Sequence, residues 1–174
     1  VIDWLMANHD GHSKQFIRGR NGHVYGIDKG QAFKHLGKDS LSLDYHPNSA
    51  FGEEEPFYNK VFRAAKDGKV NFDPQVTLKY IQEVEKISDD TYLDIIRPYA
   101  EARFGKDKIG LDKFYEQALQ RKHGLRNDFE RYYGEVLGRK DFSFSSLQTK
   151  PSIKKLLQDA DEKIIDDAGK LGWQ

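Results

Sequence analysis

The stretch that decides the first part of the fold is QFIRGRNGHVYGID, residues 15–28. Two short β-prone runs flank Asn21-Gly22 in it. Asn-Gly is favoured where both central residues of a tight turn need a positive φ. The stretch therefore predicts a β-hairpin with Asn21 and Gly22 as its two loop residues, which places Arg20 opposite His23.

Extended along both strands, this register places Gln15 opposite Asp28. Directly opposed residues point to the same face, with Cβ atoms roughly 4.5–5.5 Å apart. An amide oxygen beside a carboxylate, with room for water and phosphate, suits Mg²⁺ better than zinc. The residues thus predict a metal pair, Gln15 and Asp28, with Asp10 close enough to share the pocket. A polar hairpin of chance composition is the alternative.

Outside the hairpin, the sequence predicts a mainly α-helical chain. Residues 2–6 have the spacing of a helix end, and residues 29–56 lack any period and predict a long loop, which in compact domains is often functional. Four helices follow. Pro56 opens the first and Gly68 stops it, and Asp73 caps the second. Ser88 caps the third, which Pro98 should kink or divide, and the fourth is a long helix from Leu111 to Val136, bent near Gly124. Phe, Tyr and aliphatic residues, Tyr80 among them, fall at helix-core spacing.

The chain is expected to divide into a helical domain, 1–140, and a linker with a C-terminal helix, 141–174, the helix itself spanning Ile153 to Ala168. It begins without methionine and within a helical pattern, so we expect it to be a piece of a longer protein.

Composition narrows the function classes. Lys+Arg and Asp+Glu both number 28, so no global field favours nucleic acid, and QRKHGLR (120–126) is expected to be a solvated helix face. No apolar run is long enough to cross a bilayer, and the absence of cysteine fits a reducing, cytoplasmic location. The histidines His9, His23, His35 and His46 are expected at the surface.

Residues 3–33, DWLMANHDGHSKQFIRGRNGHVYGIDKGQAF, resemble the catalytic core of the atypical kinases. They look like the bacterial relatives of phosphatidylinositol 3- and 4-kinases, whose pattern runs N-x-D-R-H-x-x-N, a hairpin, then I-D-H-G-x-x-F. HDGHSKQF is also similar to the corresponding loop of HipA-type toxin kinases. The resemblance implies the C-lobe of the protein-kinase-like fold, with the N-lobe as a missing partner and ATP and Mg²⁺ as cofactors.

The resemblance also implies roles for individual residues. Asp10 would lie at the transfer site as base or orienter, and His12 would brace its loop. Gln15 and Asp28 would hold the metal, and Lys29 and Gly30 would bind the cofactor. Phe33 would anchor the next segment in the core.

Three departures from the pattern bear on activity: Gly11 replaces arginine, Gln15 replaces the metal asparagine, and Lys29 replaces histidine. Glutamine moves the amide oxygen outward by one carbon–carbon bond, about 1.5 Å. Because Mg²⁺ demands near-ideal octahedral geometry, this shift would weaken one metal or require a displaced backbone.

A kinase also needs a Gly-rich loop over the phosphates and a strand lysine, and this sequence contains neither. We therefore expect the fragment to be inactive alone, with an unidentified alcohol as acceptor for the parent. One alternative is a pseudokinase or helical interaction module without catalysis. Another is a metal-dependent phosphohydrolase built on His9, Asp10 and His12.

Overall fold

The computed structural model describes residues 1–11, 13–45 and 57–147 of the 174-residue chain. His12, His46 and the expected C-terminal helix lie outside the described residues. The helices are α1 (Ile2–Leu5), α2 (Phe57–Lys66), α3 (Pro74–Glu85), α4 (Asp89–Phe104) and α5 (Lys108–Val136); the strands are β1 (Phe16–Arg18) and β2 (Val24–Gly26). Short 3-10 turns span Ser13–Gln15 and Phe144–Ser146. A mainly helical fold with one hairpin near the N-terminus is confirmed, whereas the likeness to a kinase C-lobe stays a prediction.

Side-chain caps begin three of the helices. Asp73 accepts a hydrogen bond from the amide of Gln75, and Ser88 accepts one from the amide of Thr91, as the sequence predicts. Asp107 caps α5 in the same way, which the sequence analysis missed. The local hydrogen bonds at Asp73 and Ser88 explain why the starts of α3 and α4 could be located from sequence.

Pro98 was expected to kink or divide the third helix; it does not divide it, because α4 continues through Pro98 as one helix. Proline removes one backbone donor and crowds the carbonyl four residues earlier, here that of Asp94. Both residues are exposed, so water can satisfy that carbonyl.

The long helix α5 forms the centre of the described fold and contacts α1, α2, α3 and α4. Aromatic rings pack edge-to-face or tilted against its C-terminal half, at centroid distances near 5–6 Å, in a cluster of Phe62, Phe72, Phe129, Tyr132, Tyr133, Phe142 and Phe144. The expectation that aromatic residues at helix-core spacing form the core is confirmed for Phe129 and Tyr132, which are buried. It is wrong for Tyr80, which is 55% exposed on α3.

Part of the predicted linker belongs to the core. Phe142 and Phe144 are buried against Tyr133, and the compact unit of the chain extends from Val1 to Phe144. Aromatic residues in a stretch rich in serine thus anchor the chain beyond the end of α5.

The hairpin has a different register from the predicted one. Phe16 pairs with Gly26, Ile17 with Tyr25 and Arg18 with Val24, and the amide of Gly19 donates to the carbonyl of His23 at 2.8 Å. The prediction that Arg20 faces His23 is therefore wrong.

The physical reason is the turn, which has three loop residues, Arg20, Asn21 and Gly22, rather than two. Gly22 adopts a φ of 81°, the left-handed position typical of a three-residue loop. A slip of one residue changes every cross-strand partner.

Residues 29–45, here called the post-hairpin segment, follow the hairpin as a series of turns. Five apolar side chains of this segment are buried: Ala32, Phe33, Leu36, Leu41 and Leu43. Phe33 is buried, and its ring packs tilted against Tyr99 and edge-to-face against Phe114, so its expected anchoring role is confirmed.

Candidate functional site

Left-handed backbone occurs at three non-glycine positions in the N-terminal part of the chain. Within the described residues, the non-glycine residues with a positive φ are Ala7 (45°), Asp28 (54°) and Phe33 (62°). Left-handed backbone is unfavourable for such residues and persists where surrounding contacts impose it, often at functional sites. All three lie within residues 3–33, the stretch that the sequence singled out.

Asp10 and Gln15 are brought together. Nε2 of Gln15 donates to a carboxylate oxygen of Asp10 at 3.4 Å, as expected for two residues that share a pocket. Asp10 is exposed, whereas Gln15 is 5% exposed. Oε1 of Gln15 is buried and has no hydrogen-bond partner within the described residues. A buried amide oxygen without a donor is costly, and a cation or water would satisfy it.

The predicted face-to-face pairing of Gln15 and Asp28 is wrong. The amide of Ile27 donates to the carbonyl of Gln15 at 2.8 Å, so Asp28 lies one position beyond Gln15's cross-strand partner. Asp28 is exposed, and one of its carboxylate oxygens accepts from the amide of Gly30 at 3.3 Å. Both residues remain at the open end of the hairpin, and the described residues show no hydrogen bond between them.

Lys29 ties the hairpin to α1. Its ammonium lies 2.7 Å from a carboxylate oxygen of Asp3, which also accepts from the side-chain amide of Asn8 at 3.1 Å. A Cβ on Gly26 would lie 3.1 Å from that ammonium, so the missing side chain at Gly26 lets Lys29 cross the hairpin. Lys29, whose side chain is 31% exposed, is thus not free to meet a phosphate while this ion pair holds.

His9 is buried, so the expectation of a surface histidine is wrong. Its Nδ1 lies 2.8 Å from the hydroxyl of Tyr58, and its Nε2 lies 2.5 Å from a carboxylate oxygen of Asp39. The partners come from residues far along the chain, which is why the local sequence did not indicate burial. Because both ring nitrogens are engaged, neither is left for a metal, which disfavours a phosphohydrolase site that uses His9.

Asp39 is the centre of a buried ion pair. Arg121 binds both of its carboxylate oxygens and also donates to the carbonyl of Trp4 at 2.8 Å, with its guanidinium carbon 3.6 Å from the centroid of the Trp4 ring. Burial by itself would raise the pKa of Asp39, but hydrogen bonds from His9 and Arg121 lower it on balance. The stabilisation is therefore present above the usual aspartate pKa and is lost as the pH falls through the lowered one.

Sequence analysis missed Asp39 and Arg121. One signal could have found the arginine: it lies on the same helical face as the buried residues Phe114, Ala118 and Leu125. A cation on a core-facing stripe must find a buried partner, so this position indicates an ion pair even before the partner is known. No comparable local pattern marks Asp39.

The basic segment 120–126 was expected to be a solvated face, and that expectation is wrong for most of its cations. Lys122, 6% exposed, binds Asp89 at 2.9 Å, and Arg126 binds Glu85 through two nitrogens. His123 also contacts Asp89. These pairs connect α5 to α3 and α4 and neutralise the segment locally.

Metal binding would depend on oxygen ligands. Across residues 1–11, 13–45 and 57–147, no group of three or more His, Cys, Asp or Glu side chains is placed to hold a metal ion. The oxygen atoms at the hairpin end are the buried Oε1 of Gln15 and the exposed carboxylates of Asp10 and Asp28. Amide and carboxylate oxygens are the type of ligand that Mg²⁺ prefers.

No family model, curated protein or solved structure matches this chain. Among the described helices, none has both the length and the apolar composition that crossing a bilayer requires.

Proposed function

We propose that this chain is the C-terminal lobe of a kinase-like phosphotransferase that moves the γ-phosphoryl group of ATP to an alcohol. The observation that carries the proposal is the buried oxygen of Gln15, which has no hydrogen-bond partner among the described residues and is held beside Asp10 at the hairpin end that leads into Asp28. Phosphoryl transfer needs positioned charge more than covalent chemistry from the protein, and this set supplies it.

In the proposed reaction, the bond from the γ-phosphorus to the ADP oxygen breaks and a bond to the acceptor oxygen forms. Asp10 orients the acceptor hydroxyl and accepts its proton. Gln15 and Asp28 would hold Mg²⁺, which when bound neutralises charge on the phosphate oxygens.

The hairpin offers a surface for the nucleotide base. Cross-strand pairing puts Ile17 and Tyr25 on the same face as Gln15 and Ile27. Three apolar side chains of this face are exposed: Ile17 and Tyr25 are each 50% exposed, and Ile27 is 41% exposed. Ligand sites commonly combine such apolar walls with a few polar groups, which supports a purine lying against this face.

A pseudokinase is the second candidate, and the Lys29–Asp3 ion pair favours it. A lysine committed to α1 does not neutralise phosphate, and the longer side chain of Gln15 is already bonded to Asp10. In either case the groups that cover the ATP phosphates would come from an N-terminal lobe. We therefore expect transfer by these 174 residues alone to stay at background.

The substitution Asp28→Ala tests the proposal. Calorimetry of the natural full-length protein measures its affinity for ATP with and without Mg²⁺. The gain in affinity that Mg²⁺ brings should be smaller in the variant by about tenfold or more, equivalent to about 1.4 kcal/mol. In the natural full-length protein it should also abolish transfer, because the metal loses its carboxylate.

Asp44→Ala is the matched control, since Asp44 is an aspartate of the post-hairpin segment whose side chain is 89% exposed. It should leave both measurements unchanged. Absence of magnesium-linked ATP binding in the natural full-length protein would favour the pseudokinase. Full activity of Asp28→Ala would contradict both the metal site and the proposed function.

A further inference from the structure

We infer that Asp39 is a positioning residue, which acts through His9 to hold Asp10 in its working orientation. The inference rests on the proposed function, because it concerns the residue that we place next to the acceptor. It makes the geometry of Asp10 depend on how the post-hairpin segment is packed.

The connection runs through buried groups with little freedom to move. The side chains of His9, Asp39 and Arg121 are 1%, 0% and 8% exposed. Arg121 lies on the long helix α5, Asp39 on the post-hairpin segment and His9 in the loop next to Asp10. Hydrogen bonds between these three side chains therefore join three separate parts of the chain.

His9 transmits the constraint because it directly precedes Asp10. Its ring is held at both nitrogens, by Tyr58 and Asp39, and lies 4.9 Å from the ring of Tyr45. Rotating the ring would break both hydrogen bonds inside the core. With His9 held, the backbone that carries Asp10 has little freedom.

The N-terminal side of the loop is held by two backbone hydrogen bonds. The amide of Ala7 donates to the carbonyl of Trp4 at 3.0 Å, and the amide of Asn8 donates to the carbonyl of Asp3 at 2.7 Å. The left-handed φ of Ala7, 45°, requires such support. These two amides therefore report whether the loop keeps its conformation.

Asp39 reaches His9 only when the post-hairpin segment packs on α5. The segment turns at Gly37, where φ is 76° and a Cβ would lie 2.2 Å from Nε2 of Gln117. Leu36 and Leu41, on either side of the turn, are buried. Anything that lifts this segment would withdraw Asp39 and leave Arg121 and His9 without their shared partner.

The substitution Asp39→Asn tests the inference by hydrogen–deuterium exchange on the full chain. We expect exchange at Ala7 and Asn8 to accelerate by about tenfold or more, while amides of α3 change little. Asp44→Asn, in the same segment but exposed, should leave both regions unchanged. Acceleration spread evenly over the whole chain would show that Asp39 is only a general stabiliser and would overturn the inference.

Tyr58→Phe is the second variant, should Asp39→Asn fail to fold. It removes one hydrogen bond to His9 and leaves every charge in place, and we expect a smaller acceleration confined to Ala7 and Asn8. Unchanged exchange at these two amides would overturn the inference.

Kinetics of the natural full-length protein separate positioning from binding. Asp39→Asn should lower kcat by about tenfold or more while KM for ATP stays within about twofold, since Gln15 and Asp28 are untouched. A rise in KM alone would overturn the positioning role. A wild-type protein without transfer would contradict the proposed function, and the exchange experiment would still decide whether Asp39 controls the loop.

Discussion

At the scale of single residues, the glycines of α5 differ in what surrounds them. Gly134 lies in the last turn of α5, where the chain reverses direction. The amide of Arg139 donates a hydrogen bond to the carbonyl of Gly134 at 2.8 Å. A Cβ at Gly134 would lie 2.8 Å from the backbone oxygen of Arg139. A Cβ at Gly124 would have more room, because the nearest atom, a carboxylate oxygen of Asp128, would lie 3.9 Å from it.

Alanine at these two positions should therefore have opposite effects. Gly134→Ala forces backbone apart at the helix end and should destabilise the protein by about 1–3 kcal/mol. Gly124→Ala gains helix propensity and should stabilise it by up to about 1 kcal/mol. Urea denaturation of both variants gives the two free energies of unfolding. Changes of the same sign would show that the contact at Arg139 relaxes freely.

At the scale of elements, the hairpin is the least supported part of the described fold. Each strand has three residues, and a two-stranded hairpin is marginally stable by itself. The Lys29–Asp3 ion pair connects its base to α1, with side chains 31% and 23% exposed. This tether keeps the strand that leads into Asp28 close to the Asp10 loop.

Lys29→Met should loosen the hairpin without unfolding the protein. A partly exposed ion pair contributes about 0.2–1 kcal/mol, so the melting temperature should change little. Exchange at the cross-strand amides of β1 and β2 should nevertheless accelerate, because their tether is gone. Lys69→Met, which removes an exposed pair with Asp67, is the control and should leave the hairpin unchanged. Equal exchange in both variants would show that the strands need no tether.

At the scale of the whole molecule, tyrosines are distributed through the core. Burial raises the pKa of Tyr58 and Tyr132 strongly, and it raises the pKa of Tyr92 and Tyr133 to about 12. A phenol that stays neutral when folded contributes stability below its ordinary pKa of about 10, and this stability is lost as the pH rises towards the folded value.

The protein should therefore unfold in alkali, in the window between pH ~10 and ~12. Tyrosinate absorbance should develop in two phases, exposed tyrosines first and buried ones together with the loss of helical circular dichroism. The chain unfolded in guanidinium is the control and should titrate in one phase near pH ~10. A single phase in the folded protein, with the helices intact, would contradict the burial of these four rings.

Local patterns in the sequence determined the elements of this protein. Helix caps such as Asp73 and Ser88, apolar spacing and the Asn21-Gly22 turn act over a few residues, so the helices and the existence of a hairpin followed from them. The contact of Asp10 with Gln15 spans five positions and was equally accessible.

Only the tertiary structure decided the register of the hairpin, the burial of His9 and the partner of Lys29. Asn-Gly suits loops of two or three residues, so the local chemistry does not distinguish the two registers. His9 meets Asp39 across 30 positions, and Asp39 meets Arg121 across 82. Because such contacts join residues with no local relation, the buried charges that surround the candidate site could not be derived from the order of the amino acids near it.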